Sequence, residues 1–381
     1  MQPAHSTNGN GLLAISLELC SANWKLAASD GLRQKPSVYG GMDAGPPIDR
    51  LNQLTDHIQA LKSKWKLPPD CPVWVLYEAG QDGFWIARAL QARSVQVVVV
   101  DPASIPVSRQ ARRAKTDRLD ALTLLANLQA WLRGERPEVR MVHVPSEEAE
   151  AQRQLSRDRG VLQKEIGQHR DRMKKLLRLV GCWDDLKGDF AARLSSEQLR
   201  CWDQSVLPQP LQARLERECE RLAGAFTQLA AVEKQLHQQL PEAFQQRIAQ
   251  LAQLRGVGWV GAMRLVLELY WRDFHNRRQV GACVGLVAQP YDSGSSRVDQ
   301  GISKQGNRRV RALLIEMAWM WLRYQPDSAI AKWFAERTAG NAENKRGKRI
   351  AIVAVARRLA IALWRYLHDG VIPPGAQLKP V

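Results

Sequence analysis

Residues 115–121 read KTDRLDA and begin a segment whose apolar spacing predicts an amphipathic helix. Asp117 and Asp120 lie three residues apart, so this helix would project both carboxylates from one face. Three leucines within residues 122–125 would bury the opposite side. The pattern therefore predicts two outward-facing carboxylates that are held on a packed scaffold.

A basic run lies just before these carboxylates, and its members are Arg109, Arg112, Arg113 and Lys115. Two or more carboxylates bind a hard cation such as Mg²⁺, while arginines hold a polyanion. Acidic groups beside cations therefore indicate a site for Mg²⁺-dependent phosphoryl transfer. The alternative is a solvated helix face that carries ordinary charges three residues apart.

The composition indicates a polyanionic partner. The chain has 381 residues, enough for more than one hydrophobic core, and 55 Lys and Arg against 38 Asp and Glu give a net charge of +17. We therefore expect DNA or RNA as the partner. A membrane surface is the competing partner, but no apolar run approaches the roughly 20 residues that a transmembrane helix requires. Residues 1–10 are polar and unlike a signal peptide, so a soluble intracellular protein is expected.

The six cysteines are scattered along the chain without a closely spaced pair. This spacing argues against a zinc knuckle and against a disulfide framework. We expect all six to be free thiols.

The predicted elements of the first 132 residues come in the order strand, strand, strand, helix, strand, helix, strand, helix. Glu18 falls on the first strand and Glu78 at the end of the fourth, while Asp117 and Asp120 open the last helix. This order resembles the ribonuclease-H-like fold. In that fold the first and fourth strands are adjacent at the sheet centre, and their carboxylates meet those of the final helix in a two-metal cluster.

The middle of the chain has a different composition. Residues 146–179 and 207–240 are rich in Gln, Arg, Glu, Leu and Lys, with apolar residues at helical intervals. They predict two long helices that form a coiled-coil hairpin for dimerisation or spacing. The arginines of the first helix could follow a nucleic-acid backbone, and a solvated charged face is the alternative.

Three later segments predict contacts with nucleic acid. Residues 254–262, LRGVGWVGA, resemble a helix-hairpin-helix, whose turn amides accept phosphate oxygens; a plain tight connection is the alternative. A polar Ser/Gly loop at 292–296 precedes a basic turn that opens a helix, which places a serine hydroxyl beside cations; an ordinary surface loop is the alternative. The cations of this turn are Lys304, Arg308, Arg309 and Arg311. Residues 345–367 predict a last basic helix as a further backbone contact.

Several of these segments carry a resemblance that covers about residues 12–322. They read YEAG at 77–80, KTDRLDA at 115–121, GVG at 256–258, GLV at 285–287, SG at 293–294 and ISKQGNRR at 302–309. Together they resemble transposases of the IS110 family, which are related to the Piv-type DNA invertases. That family joins a RuvC-like DEDD domain to a C-terminal domain with a catalytic serine.

The resemblance implies a recombinase that cuts and rejoins DNA when its own element is inserted or excised. It implies that Ser293 attacks the scissile phosphodiester to give a phosphoserine, and that Glu18, Glu78, Asp117 and Asp120 hold Mg²⁺. It also implies guidance by a structured bridge RNA of the element. The expected assembly is a homo-oligomer, a dimer or a tetramer with a composite site, in the bacterial cytosol at the nucleoid.

One residue departs from the family pattern. Glu18, six residues before Trp24, occupies the position of the family's first aspartate. Glutamate is one methylene longer and Mg²⁺ demands near-octahedral geometry, so we expect either an adapted site or an impaired one. Near the nucleophile, Ser295 and Ser296 are candidate substitutes for Ser293.

The implied fold class is α/β plus α. It comprises an RNase-H/RuvC-like N-terminal domain, a helical coiled-coil insertion and a mostly helical C-terminal transposase domain. The expected boundaries are a flexible tail at 1–10, the DEDD domain at 11–140, the coiled-coil linker at 145–245, the serine-loop domain at 250–340, and a basic helix and tail at 341–381.

Two other classes of function stay open at this point. A metal-only nuclease or junction resolvase would use water as the nucleophile and leave the serine loop structural. A nucleic-acid-binding protein descended from a transposase would have no catalysis, and Glu18 is the residue that favours it.

Overall fold

The computed structural model describes residues 11–20, 22–32, 35–43, 45–80, 83–105, 116–135, 139–293, 296–339 and 345–380. The predicted flexible tail at 1–10 lies outside these residues. The chain divides into two compact units, residues 1–145 and residues 146–381. The finer predicted boundaries stay predictions.

The first unit confirms the predicted order of elements. Its described elements are β1 (Leu13–Leu19), β2 (Asn23–Ser29), β3 (Ser37–Asp43), α1 (Pro47–Lys64), β4 (Val73–Glu78), α2 (Trp85–Gln91), β5 (Gln96–Val100), a 3₁₀ turn (Pro102–Ser104), α3 (Asp117–Leu132) and β6 (Met141–Val142). Among these described elements, β6 and the 3₁₀ turn were missed, because two or three residues are too few to show a periodic pattern.

These strands form one mixed sheet in the order β3-β2-β1-β4-β5-β6. β1 pairs antiparallel with β2 and parallel with β4, and β4 pairs parallel with β5. The predicted adjacency of the first and fourth strands at the sheet centre is therefore confirmed. A mixed six-stranded sheet with these crossovers fits a ribonuclease-H-like fold.

The alternation of side chains along the central strands covers both faces of the sheet. Leu13, Ile15 and Leu17 of β1 are fully buried in the core that α1 and α2 close. Ala14 faces the other way into the core formed with α3, and the small side chain lets this helix approach closely. Ser16 lies on the same face and donates a hydrogen bond from Oγ to the Ala121 carbonyl at 2.6 Å.

The position of the two aspartates on α3 differs from the prediction. At about 100° per residue, Asp117 and Asp120 share a stripe with Ala121 and Leu124. Ala121 and Leu124 are buried against the sheet, whereas Asp117 is exposed and Asp120 half-buried. The leucines therefore do not bury the side opposite the carboxylates. The carboxylates lie on the sheet-facing stripe itself, at the end where it reaches solvent.

The second unit is mostly helical. Its described elements are α4 (Glu147–Leu179), α5 (Phe190–Ser195), α6 (Gln209–Gln239), α7 (Glu242–Ala252), α8 (Trp259–Leu265), a π-helical turn (Val266–Tyr270), α9 (Arg277–Cys283), β7 (Ala288–Ser293), β8 (Ser296–Ile302), α10 (Arg308–Tyr324), α11 (Ala329–Thr338) and α12 (Lys345–Asp369).

The two predicted long helices are confirmed as α4 and α6, which pack against each other. Glu218 of α6 is fully buried and its Oε2 lies 2.6 Å from His169 Nδ1 and 3.2 Å from Arg172 Nε of α4. Leu162 and Ile166 of α4 belong to the same core as the C-terminal helices. The helical pair and the C-terminal helices thus share one hydrophobic core, while a supercoil of the pair stays a prediction.

Two C-terminal segments differ from simple surface elements. The predicted last helix is confirmed as α12, but its centre is buried in the unit's core, where the Tyr270 hydroxyl donates to the Ala360 carbonyl at 2.8 Å. The predicted polar Ser/Gly loop at 292–296 overlaps the ends of two antiparallel strands, β7 and β8, which form a hairpin. Ser293 is the last residue of β7 and Ser296 the first of β8, while Gly294 and Ser295 lie outside the described residues.

All six cysteines are free thiols, as predicted. None of the helices that the structure describes is long and apolar enough to cross a membrane.

Candidate active-site residues

The first predicted acid lies beside a lysine that sequence reasoning missed. Glu18 of β1 is directly opposite Lys25 of β2, so both side chains project from the same face of the sheet. That face carries α3, because Ala27, two residues after Lys25, is buried in the α3 core. Lys25 Nζ lies 2.6 Å from Asp117 Oδ2. Lys25 therefore connects β2, the neighbour of the strand that carries Glu18, to the first turn of α3.

Glu78 belongs to the same face. The parallel register pairs Leu17 with Tyr77, and continued by one residue it places Glu18 beside Glu78 on strands about 4.8 Å apart. Glu78 also pairs with Val100, whose side chain is buried in the α3 core. Two of the four predicted acids are therefore neighbours at the carboxyl ends of central parallel strands.

The other two acids come from the first turn of α3, which begins just after Thr116. The Thr116 side chain accepts a hydrogen bond from the Leu119 amide at 3.4 Å. The partial positive charge of a helix N-terminus stabilises carboxylates in the first turn, so Asp117 and Asp120 suit this position. Backbone placement thus brings all four predicted acids to one face and one end of the sheet.

This donor set fits a divalent cation, because carboxylate oxygens are the ligands that Mg²⁺ prefers. Within the described ranges, no group of three or more His, Cys, Asp or Glu side chains is gathered closely enough to hold a metal ion. In this conformation Asp117 forms an ion pair with Lys25. The four-carboxylate metal site stays a prediction, and Arg109, Arg112, Arg113 and Lys115 lie outside the described residues.

The predicted basic turn is built by close backbone approach in the second unit. Gly285 and Gly306 both have positive φ, 66° and 85°, and a Cβ at either would collide with a backbone carbonyl oxygen, that of Gln305 or of Cys283. The Lys304 amide donates to the Gly285 carbonyl at 3.2 Å. Glycines at these two positions therefore fix the turn against the end of α9.

Asn307 caps the helix that follows the turn. Its Oδ1 accepts hydrogen bonds from the amides of Arg309 at 3.0 Å and Val310 at 3.2 Å. Its Nδ2 donates to Glu268 Oε2 at 3.0 Å. Asparagine before a helical pattern is a readable N-cap signal, whereas the contact with Glu268 joins residues 39 apart and leaves no local signal.

The four predicted cations of the turn separate into two kinds. Lys304, Arg308 and Arg309 are exposed. Arg311 is half-buried and donates from Nη1 to the Val284 carbonyl at 3.0 Å, and burial, followed by the charge of Arg308, lowers the pKa of its guanidinium. The exposed three remain candidates for phosphate, while Arg311 supports the turn.

Ser293 is the last residue of β7 and pairs with Ser296 of β8, so it stands at the tip of the hairpin. Its side chain lies outside the described part of the structure, as do Gly294 and Ser295. Its proposed role as the nucleophile stays a prediction.

Comparison with known proteins identifies the family. The model of the Transposase IS116/IS110/IS902 family matches residues 248–332, and a transposase model for DEDD proteins of the IS110 type matches residues 49–181. The Sinorhizobium fredii protein y4rJ, which is named as a transposase, is 39% identical to this chain. The match covers 97% of this chain and 95% of the y4rJ protein. The chain belongs to the IS110/IS116/IS902 family of transposases.

More distant relatives agree with this membership. The transposase for insertion sequence element IS1328 of Yersinia enterocolitica is 24% identical over 79% of this chain and 85% of its own length. The transposase for IS1533 of Leptospira borgpetersenii is 27% identical over 70% of this chain and 74% of its own length. The protein is a DNA transposase of an insertion sequence, and its DEDD type suggests the use of a divalent metal.

The two matched ranges cover the predicted sites of this transposase unequally. Glu78, Asp117 and Asp120 fall within residues 49–181, and Ser293 with the basic turn falls within residues 248–332. Glu18 lies before both ranges. The acid that departs from the family pattern is therefore also the one that the family models do not reach.

Proposed function

We propose that this transposase cuts and rejoins DNA through a phosphoserine on Ser293, with Mg²⁺ held by Glu18, Glu78, Asp117 and Asp120. The observation that carries the proposal is the placement of the four acids. Two lie side by side on β1 and β4, and two lie in the first turn of the helix that covers the same face. A structured RNA of the element guides the reaction, and a homo-oligomer performs it.

The serine step exchanges one phosphate ester bond for another. Ser293 Oγ forms a bond to the scissile phosphorus and gives up its proton to a base or to solvent. The bond from phosphorus to the leaving sugar oxygen breaks, and that oxygen takes a proton to become a free hydroxyl. The number of phosphate ester bonds is unchanged, because the ester to the sugar is replaced by an ester to Ser293. A sugar hydroxyl can therefore attack the phosphoserine, reverse the step and rejoin a strand.

The four carboxylates would supply the metal-binding part of the reaction. When bound, Mg²⁺ would neutralise charge on the non-bridging and leaving oxygens. Glu18 and Glu78 would hold it from rigid strands, and Asp117 and Asp120 from the helix. Lys25 must then leave Asp117. Their side chains are 31% and 51% exposed, so the pair is worth only about 0–1 kcal/mol and is easily replaced.

The basic surface supports a nucleic-acid partner. A chain of net charge +17 releases counterions when it contacts phosphates, which favours binding to DNA and to RNA alike. Lys304, Arg308 and Arg309 expose cations at one turn. We assign the backbone contacts of the donor, target or guide strands to this turn and to the basic run 109–115.

A denaturing gel tests the proposal as a whole. Protein incubated with labelled element-end DNA, its RNA and Mg²⁺ is expected to give a protein–DNA adduct that survives denaturation. Cleaved DNA without any adduct would favour a nuclease that uses water as the nucleophile. The absence of both cleaved DNA and adduct would favour a nucleic-acid-binding protein without catalysis.

Glu18→Asp tests the first acid separately. If the longer side chain strains the metal site, the aspartate should lower the Mg²⁺ concentration needed for half-maximal recombination severalfold. The measurement is a Mg²⁺ titration of recombination for both versions. Identical titration curves would show that position 18 is not a metal ligand.

A further inference from the structure

A cavity in the second unit is lined by an excess of positive charge. Its volume is about 330 Å³, and it lies between α4, the α8 helix with its π-helical turn, and the first turns of α10. The charged residues that line it are Arg157, Lys164, Arg264, Arg309 and Glu268. Four cations surround one carboxylate, which leaves the lining with three positive charges in excess.

The single carboxylate is buried and fully engaged. Glu268 is 4% exposed and accepts two hydrogen bonds from Arg157, at 2.9 Å to Oε1 and 3.2 Å to Oε2, and a third from Asn307. Burial by itself would raise the pKa of this carboxyl, but the Arg157 hydrogen bonds and charge lower it overall. Glu268 therefore stays ionised, neutralises Arg157 and fixes one wall of the cavity.

The turn that carries Glu268 has an uncommon geometry. Residues Val266–Tyr270 form a π-helical turn, and such turns occur often at functional sites because they redirect side chains out of the ordinary helical ladder. Here the turn directs a carboxylate into a cluster of cations on α4 and α10. An apolar side chain at 268 would have served the surrounding core at a lower cost of desolvation.

Arg264, a half-buried cation of the lining, is repelled by the nearby charge of Arg309. Burial lowers the pKa of Arg264; Glu316 and Glu268 raise it, whereas Arg159 and Arg309 lower it. Arginine stays protonated under these conditions, so the excess charge persists. An anion placed among Lys164, Arg264 and Arg309 would relieve this repulsion.

We infer that this cavity binds a phosphodiester group of a nucleic-acid strand. The inference deepens the proposed function and rests on it for the identity of the polyanion. Arginines suit a phosphate because their planar guanidinium groups donate two hydrogen bonds at once. Val310 and Leu313 add an apolar wall against which a sugar can pack, and the volume lies in the range of small-ligand sites. Asn307 both caps α10 and donates a hydrogen bond to Glu268, so it joins the cavity wall to the turn that carries Arg308 and Arg309. A phosphate in the cavity would therefore lie beside this turn.

The test measures binding of the full chain to a short labelled DNA duplex and to a single-stranded RNA, without Mg²⁺, over a series of salt concentrations. Arg264→Gln and Arg309→Gln should each weaken binding and reduce the slope of log affinity against log salt by about one per lost phosphate contact. Lys164→Gln, at an exposed position, should do the same and keeps the test valid if an arginine variant does not fold. Weaker binding to the duplex alone assigns the phosphate to DNA, and weaker binding to the single strand alone assigns it to RNA. Weaker binding to both probes means that the cavity accepts a phosphate of either nucleic acid.

Two further variants separate a ligand site from a structural cluster. Glu268→Gln removes the competing negative charge and should tighten binding severalfold, and by more than Asp171→Asn, which removes an exposed carboxylate of α4 outside the cavity. Arg217→Gln changes an exposed arginine on α6 outside the cavity and is the matched control. Folded cavity variants whose affinity and salt slope equal those of Arg217→Gln on both probes would overturn the inference. Because no Ser293 chemistry takes place in this experiment, that outcome would leave the phosphoserine proposal untouched.

Discussion

Ser293→Ala is expected to abolish recombination while leaving the binding of DNA and RNA unchanged. In the proposed mechanism Ser293 Oγ forms the covalent bond to phosphorus, and alanine carries no nucleophile in its place. Removing a nucleophile of this kind costs about three orders of magnitude or more in rate. The measurement is a recombination assay with element-end DNA, its RNA and Mg²⁺, together with a binding titration of the same preparation.

The neighbouring serines provide matched controls for this variant. Ser295→Ala and Ser296→Ala make the same chemical change near the same hairpin tip and should retain at least part of the activity. Ser296 pairs with Ser293 across the two strands, so its substitution also controls for local disturbance of the hairpin. Robust recombination by Ser293→Ala would reject the assignment and put the water-nucleophile nuclease ahead.

Asp117→Asn and Asp120→Asn are expected to reduce Mg²⁺-dependent recombination by at least about a hundredfold, since each would remove one anionic ligand from the proposed metal site. Nucleic-acid binding should persist, because the basic surface is intact. The fold should persist as well: Asp117 is exposed, and its ion pair with Lys25 is worth about 0–1 kcal/mol. Recombination rates and melting temperatures of the variants check both statements.

Asp171→Asn, which neutralises an exposed carboxylate on α4, is the control for the loss of a negative charge alone. It should recombine at the rate of the unaltered protein. Near-normal recombination by both Asp117→Asn and Asp120→Asn would remove these residues from the metal site.

Periodicity and residue order predicted most of the first unit. The seven elements from β1 to β5 are short apolar or amphipathic runs, several of them bounded by Gly or Pro, so their type and order can be read locally. Once the order is known, the parallel pairing of β1 with β4 follows from the fold that it resembles. This pairing is what places Glu18 and Glu78 side by side.

The features that the sequence did not reveal depend on contacts between distant residues. Lys25 reads as an ordinary strand residue, and only the register opposite Glu18 and the packing of α3 bring it to Asp117. The facing of Asp117 and Asp120 was predicted wrongly because all three leucines of residues 122–125 were assigned to the opposite side, whereas Leu124, with Ala121, is buried on the same stripe as the aspartates. Glu268 lies in the apolar run 266–270, and its partners Arg157 and Asn307 are far away in sequence.

The central claim is that Ser293 becomes covalently bound to DNA, and mass spectrometry of a trapped adduct tests it most directly. Protein is incubated with element-end DNA, its RNA and Mg²⁺, quenched in denaturant, and digested with protease and nuclease. We expect one peptide that carries a nucleotide joined through phosphate to Ser293, and no such peptide from Ser293→Ala. A phosphonucleotide on any other residue, or cleaved DNA with no modified peptide at all, would contradict the account.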